Sequence, residues 1–256
     1  MRAILIVWTI VGVFPQVFGQ SPQFVSQNHS LARNNSSTTT SAAAKDSDLA
    51  TLHCIPLWGE KSKSVQQKKE DAAFLKACDQ NFETRSEASR FFAERGWEYI
   101  SEGELDTACY RFNLAHLLDE KNSDAYWGLG VVCHQKGDGS QAIRMLSKGV
   151  LYDSSNSILL DDLATLYIGQ FQQTKNSEDL NQAFTLLNRS ATIDTTNGTT
   201  FMKLALAEYL RNDFDKSWEY LHKCRQIDVQ VLDFNFIEQL ASQKADPHGV
   251  FNKGKE

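Results

Sequence analysis

The sequence predicts an all-α chain made of about four stacked helix pairs with a capping helix at each end. Three observations predict it. The four prolines are Pro15, Pro22, Pro56 and Pro247, so residues 57–246 lack the residue that breaks helix interiors. Within that stretch the same pattern of small and large apolar residues recurs with a period of about 34 residues. The corners repeat independently of the helices. Asp119-Glu-Lys-Asn122, Asp153-Ser-Ser-Asn156 and Asp194-Thr-Thr-Asn197 are one Asp-x-x-Asn device, separated by one period and then by one period plus seven.

The first element is a targeting segment. Arg2 is the only charge before Arg33, and Ala3–Phe14 is an apolar run of 12 residues, short of the roughly 20 needed to span a bilayer. Pro15 ends it, and Val17-Phe18-Gly19 places small side chains for cleavage after Gly19, so residues 1–19 have the layout of a secretory signal. The alternative is an uncleaved anchor. Residues 20–64 open with a Ser/Thr/Asn-rich stretch (Asn34-Asn-Ser-Ser-Thr-Thr-Thr-Ser) that cannot bury enough apolar surface to offset its chain entropy. They are expected to form a disordered tether. Asn28, Asn34, Asn35, Asn188 and Asn197 begin Asn-x-Ser/Thr triplets, acceptors in a glycosylating pathway, although a Ser/Asn-rich chain produces such triplets by chance.

A capping helix is expected at Lys69–Asn81, with Ala73, Phe74, Ala77 and Cys78 on one face. In the second repeat, Tyr126, Leu129 and Gly130 are followed by a Gly137-Asp138 turn, Ala142, Leu146 and Gly149. One repeat earlier stand Phe92, Arg95, Gly96, a Gly103-Glu104 turn, Ala108, Phe112 and Ala115. The third copy (Leu160, Leu163, Ala164, Tyr167, then Ala183, Leu187, Ser190) needs seven extra residues between its helices. Seven is close to two helical turns, so the pair can lengthen without rotating its buried face. The fourth (Phe201, Leu204, Ala205, Asn212-Asp213, Ser217, Leu221, Cys224) is gap-free again. The repeats are thus bounded at about 89–122, 123–156, 157–197 and 198–231, followed by a capping helix at 232–243 and a flexible tail at 244–256.

These residues resemble the tetratricopeptide repeat (TPR) family over roughly residues 86–230. The resemblance implies a right-handed α-α superhelix, a solenoid spanning residues 65–243, that binds protein or peptide partners in a groove lined by the first helix of each pair. This chain departs from the family in having no proline at its corners. The implied groove brings up Arg90, Ala93, Glu94, Trp97 and Ile100, then Asp124, Trp127, Val131 and His134, then Asp161, Asp162, Thr165 and Ile168, then Met202, Lys203, Leu206 and Tyr209. Family members that clamp a C-terminal carboxylate do so with Lys, Asn and Arg at phases held here by Ala93, Trp97, Gly128, Thr199 and Lys203, so that clamp is absent. The binding candidates are Trp97, Trp127, Val131, His134, Asp161, Asp162, Thr165, Lys203 and Tyr209. The two tryptophans either form a platform for an extended peptide or a sugar face, or fill gaps between helix pairs.

Chemistry of other kinds finds little support. The formal charge of −6 lacks the clustered Lys/Arg of a nucleic-acid binder. The six histidines are scattered, and no H-E-x-x-H, G-x-S-x-G or Gly-rich phosphate loop occurs. Asp161 and Asp162 are sequential and diverge on a helix, which disfavours a metal. No enzyme, cofactor or metal is therefore expected. The five cysteines form no C-x-x-C pair and are odd in number; Cys54 and Cys78, outside the repeats, are the candidates for a disulfide. The expectation is an exported scaffold in a periplasm, at a cell surface or secreted, with no membrane span after cleavage. Two alternatives are a carbohydrate- or small-ligand-binding protein using the groove tryptophans and a structural subunit of an envelope complex.

Overall fold

The structure, a computed structural model, describes residues 53–251. The targeting segment and most of the expected tether lie outside the described residues. The chain divides into two compact units, Met1–Glu120 and Lys121–Glu256. Among the described residues the regular structure is entirely helical.

In the first unit α1 spans Val65–Asn81, α2 Arg85–Ser101 and α3 Leu105–Leu118. Ser64 and Gln67 close a reciprocal capping box at the start of α1, satisfying two otherwise orphaned N–H groups. That cap sets the helix start four residues before the expected Lys69. Phe74 meets Phe92 of α2 edge-on at 5.2 Å, and Cys78 is buried, whereas Ala73 is exposed. Pairing of α2 with α3 depends on small residues. A Cβ on Gly96 would strike the Phe112 ring, and Ala88, Ala108 and Ala115 are fully buried.

The expected tether is overturned over its last residues. Residues 53–60 fold back on α3, because the Asn113 amide accepts from the Leu57 N–H at 2.7 Å and donates to the carbonyls of Ile55 at 2.9 Å and His53 at 3.1 Å. Leu57 is buried and the His53 ring stacks on Tyr110 at 4.5 Å. The Asn113 amide, Leu57 and the His53 ring hold a stretch (Cys54-Ile-Pro-Leu-Trp58) that is apolar, unlike the Ser/Thr/Asn-rich run before it.

In the second unit the helices are α4 Ser123–Gln135, α5 Gly139–Tyr152, α6 Ser157–Thr174, α7 Ser177–Ile193, α8 Gly198–Leu210, α9 Phe214–Ile227 and α10 Phe234–Gln243. Its two inner corners work as the Asp-x-x-Asn device requires. Asp153 accepts from the N–H and hydroxyl of Ser155, Asp194 does the same with Thr196, and Asn156 and Asn197 cap the next helices through the N–H groups of Leu159 and Thr199. The seven-residue insertion lengthens both helices of its pair, to 18 and 17 residues against 13 and 14 in the pair before. Leu160, Leu163, Ala164, Ala183 and Leu187 stay buried, so the buried face does not rotate.

A second polar repeat runs beneath the apolar one. The Ser89 hydroxyl donates to the Ala115 carbonyl at 2.7 Å, and Ser123 donates to Gly149 at 3.2 Å. In the third pair the direction reverses, Ser190 donating to the Ser157 carbonyl at 3.1 Å. Each latch ties the start of a first helix to the end of its partner helix. The fourth pair has Gly198 and Cys224 at these positions and replaces the latch with close backbone approach.

The expected flexible tail is also overturned up to residue 251. The Trp218 indole N–H donates to the Lys244 carbonyl at 2.9 Å. Asp246, itself buried, accepts from the N–H groups of His248 and Phe251, both at 2.9 Å, and lies 2.7 Å from His222 Nε2. The Phe251 ring stacks on Trp218 and His222. Proline and glycine here shape a turn that folds the chain onto α9.

The Cys54–Cys78 bridge is not formed. Cys54 belongs to the segment that Asn113 holds on α3, while Cys78 is buried at the end of α1. Burial pushes the thiols of Cys78, Cys133 and Cys224 up to about 11, far from the thiolate form needed for reaction. Cys109 is buried as well, and only Cys54 is partly exposed. Alkylation with iodoacetamide at pH 8, read by intact mass, is expected to modify at most one thiol in the folded chain and all five after denaturation.

Candidate functional site

The first helices of the second unit are α4, α6 and α8, and side-chain bonds join them in a row. Trp127 on α4 donates its indole N–H to Asp162 on α6 at 2.9 Å. Lys203 on α8 donates from Nζ to the main-chain carbonyl of Asp161 at 3.2 Å. Trp127, Asp162 and Lys203 are each half-buried, which fixes their positions while leaving part of each side chain open to solvent. Val131, Met202, Leu206 and Tyr209 are also half-buried, and His134 and Thr165 are exposed. The face is thus mainly apolar, with a tryptophan edge, one carboxylate and one ammonium in fixed places. Tyr209 is propped against Phe214 and Phe236 at ring distances of 5.7 and 5.5 Å.

Asp161 is not part of this face. The turn of about 100° per residue that aims Asp162 at Trp127 drives Asp161 inward, where it is 2% exposed. One carboxylate oxygen accepts from Thr200 at 2.7 Å and from the Asn197 amide at 3.2 Å; the other has no partner. Thr200 in turn lies 3.3 Å from the Ser190 hydroxyl, so one buried polar chain joins α6, α7 and α8. Ala93, expected on the first repeat's groove surface, is buried too, and Ile168 joins the core. In the first unit Trp97 is half-buried and meets Phe112 edge-on at 5.4 Å, filling space against its partner helix.

Burial holds the Asp161 carboxyl above its ordinary range, against the opposing pull of Lys203 and the Thr200 and Ser190 hydroxyls. Because the folded value lies above the unfolded one, folding favours the proton. The resulting contribution to stability is complete below the unfolded Asp value and is lost as pH rises through the raised folded value. Glu208, 2% exposed, shifts the same way, again chiefly through burial, with Arg211 opposing. The urea midpoint of the wild type is therefore expected to gain on that of Asp161→Asn as pH is lowered from neutrality to the ordinary Asp value. A constant difference across that range would show that the carboxyl is not shifted.

Sequence reasoning missed the inward turn of Asp161, the latch serines and the closing role of Asp246. Two of these left a trace. Ser89, Ser123 and Ser157 stand at equal intervals, with the same period as the apolar residues. Asn197 and Thr200, which hold Asp161, flank a corner already recognised from its Asp-x-x-Asn pattern. Asp246 left none, since its partner His222 is on a different element.

No family model matches the sequence, and no curated protein matches it. Solved structures do. The chain is similar to PilF of Pseudomonas aeruginosa at 19% identity, over 62% of this chain and 72% of that one, with a TM-score of 0.52. It is similar to TTC0263, a thermophilic TPR protein of Thermus thermophilus, at 16% identity over 61% and 89% of the two chains, with a TM-score of 0.50. A MamA RS-1 double mutant matches at 12% identity over 60% and 82%, with a TM-score of 0.51. At these identities what is shared is the fold of paired helices. Among the described residues no helix is long and apolar enough to cross a membrane.

Proposed function

With the tetratricopeptide-repeat fold of this chain as premise, we propose that it is an exported scaffold that binds a protein partner through the first-helix face of residues 121–251. The observation that carries the reading is the row Trp127–Asp162 and Lys203–Asp161, which fixes side chains of three successive first helices on one half-exposed apolar face. Side chains already immobilised lose little further entropy when a partner docks. An extended peptide fits such a face. Its apolar side chains cover Val131, Met202 and Leu206, and an acidic group meets Lys203 as the partner's main chain passes Trp127. Export rests on the layout of residues 1–19.

A displayed library of random 16-residue peptides, panned on the mature chain, tests the binding. Enriched peptides that lose at least tenfold in affinity toward the double variant Trp127→Ala/Lys203→Glu, with its helical circular dichroism unchanged, are the expected result. Peptides indifferent to that variant, or no enrichment at all, would remove the face from consideration. Export is read separately. The protein recovered outside the cytoplasm is expected to begin at Gln20.

A further inference from the structure

In the first unit, side chains of residues 53–71 converge on a second place. His53, Trp58, Lys63, Gln67, Glu70 and Asp71 line a cleft of about 20 Å³, room for one water molecule or one ammonium group. The cleft opens to solvent. Glu70 is exposed on its rim, and the side chains of Lys63 and Asp71 keep 24% and 23% of their surface. One wall is strained. Leu57, Trp58, Gly59 and Glu60 have φ of 52°, 51°, 69° and 56°, a left-handed turn that is unfavourable for the three that are not glycine. The bond from the Leu57 N–H to Asn113 pins that turn, and strain of this kind persists where a side chain is held in a set place. The side chain so held is Trp58, whose ring carries the Lys63 ammonium 3.9 Å from its centre. The same ammonium is paired with Asp71.

We propose that this cleft binds a primary ammonium group of a protein partner, and that Lys63 is a stand-in which the partner displaces. Lys63 shows the chemistry the cleft accepts, an ammonium held between a carboxylate and a ring face that attracts cations. Burial holds the His53 ring below its ordinary value against the pull of Glu70 and Asp71, so at neutral pH it adds no positive charge. Two carboxylates then face one ammonium. A divalent metal fits less well, since it takes oxygen ligands rather than a ring face, and among the described residues no group of three His, Cys, Asp or Glu could hold one. Lys63 stands in the irregular stretch 61–64 between the turn and α1, so it can swing out without unwinding a helix. A partly exposed ion pair adds little to stability, which makes the exchange easy. This site uses no residue of the first-helix face, so either can fail alone.

The test uses the full mature chain. The readout is the Trp58 indole N–H resonance in a ¹H–¹⁵N spectrum, identified by its loss in Trp58→Phe. Nα-acetyl-lysinamide is the probe for a side-chain ammonium and glycinamide for a chain terminus, at ionic strength held constant with sodium chloride. Acetylating the Nε of the first probe removes its charge and supplies the control. A saturable shift is expected in Lys63→Ala, with affinity about tenfold weaker in the wild type, where the tethered Lys63 competes. Whichever amine binds more tightly identifies the source. No saturable shift in Lys63→Ala overturns the proposal, as does a shift that survives in Lys63→Ala/Asp71→Asn. Equal affinity in the wild type and Lys63→Ala overturns it too, because Lys63 would then be no competitor. An equal response to the acetylated control does the same, by making the contact apolar rather than ionic.

Discussion

Replacing Asp246 by alanine is expected to destabilise the chain by about 3 kcal/mol, the scale of breaking a buried ionisable pair by removing one partner. The carboxylate lies 2.7 Å from His222 Nε2 and accepts the N–H groups of His248 and Phe251, so a single substitution releases three groups. His222 is 4% exposed, and its Nδ1 already lacks a partner. Losing the Nε2 partner leaves both ring nitrogens unsatisfied inside the protein. The turn then loosens, and with it the cover over Trp218, whose side chain is fully buried. Urea unfolding gives the energy, and hydrogen exchange of the Trp218 indole N–H, now bonded to the Lys244 carbonyl, reports the opening. A variant as stable as the wild type, with that N–H still protected, would mean that the turn holds through Phe251 stacking alone.

The pH response of this turn has the opposite sign to that of Asp161. Burial alone would raise the Asp246 carboxyl, but the N–H groups of Phe251 and His248 together with His222 outweigh it and bring the value below the ordinary range. Its stabilisation is therefore present above the unfolded carboxylate value and is lost as pH falls through the folded one. Acid first relieves the interior at Asp161 and later undoes the closure at Asp246.

What could be read from the sequence divides by how local the determining interaction is. The corners were legible because Asp153, Asn156, Asp194 and Asn197 act on backbone within a few residues of themselves. The insertion was legible because helical phase is arithmetic. The two ends were not. Asn113 reaches back to residues 53–57, and Asp246 reaches 24 residues to His222. Each end is held by a polar side chain whose partner is on another element, together with Leu57 and His53 at one end and Trp218 and Phe251 at the other, relations that a repeat period does not encode. The same limit applies to the face. Phase brought Trp127, Asp162 and Lys203 to one side, yet it could not say that Trp127 and Asp162 bond to one another, or that Asp161 turns inward to Thr200.

The close approach of paired helices makes a prediction in which two identical substitutions change stability in opposite directions. Gly130 on α4 and Gly169 on α6 are both interior helical glycines, so exchange for alanine gains about 1 kcal/mol of helix propensity at either site. A Cβ at Gly169 meets nothing within 4 Å, and Gly169→Ala is expected to stabilise by roughly that amount. At Gly130 the same methyl would fall within the Leu146 side chain and lie 3.2 Å from the Ala142 carbonyl oxygen. Leu146 cannot move aside. It is 1% exposed and packed against Leu159 and Leu163 of the next pair, and the carbonyl belongs to the α5 backbone. The pair must spread, and overpacking of this kind costs typically about 1–3 kcal/mol, with larger costs where backbone has to move. Gly130→Ala is therefore expected to lose about 2 kcal/mol net of the propensity gain. Thermal or urea unfolding of the two variants side by side decides the matter. If both rise together, α4 and α5 have room between them, and the recurring small residues owe their period to something other than helix contact.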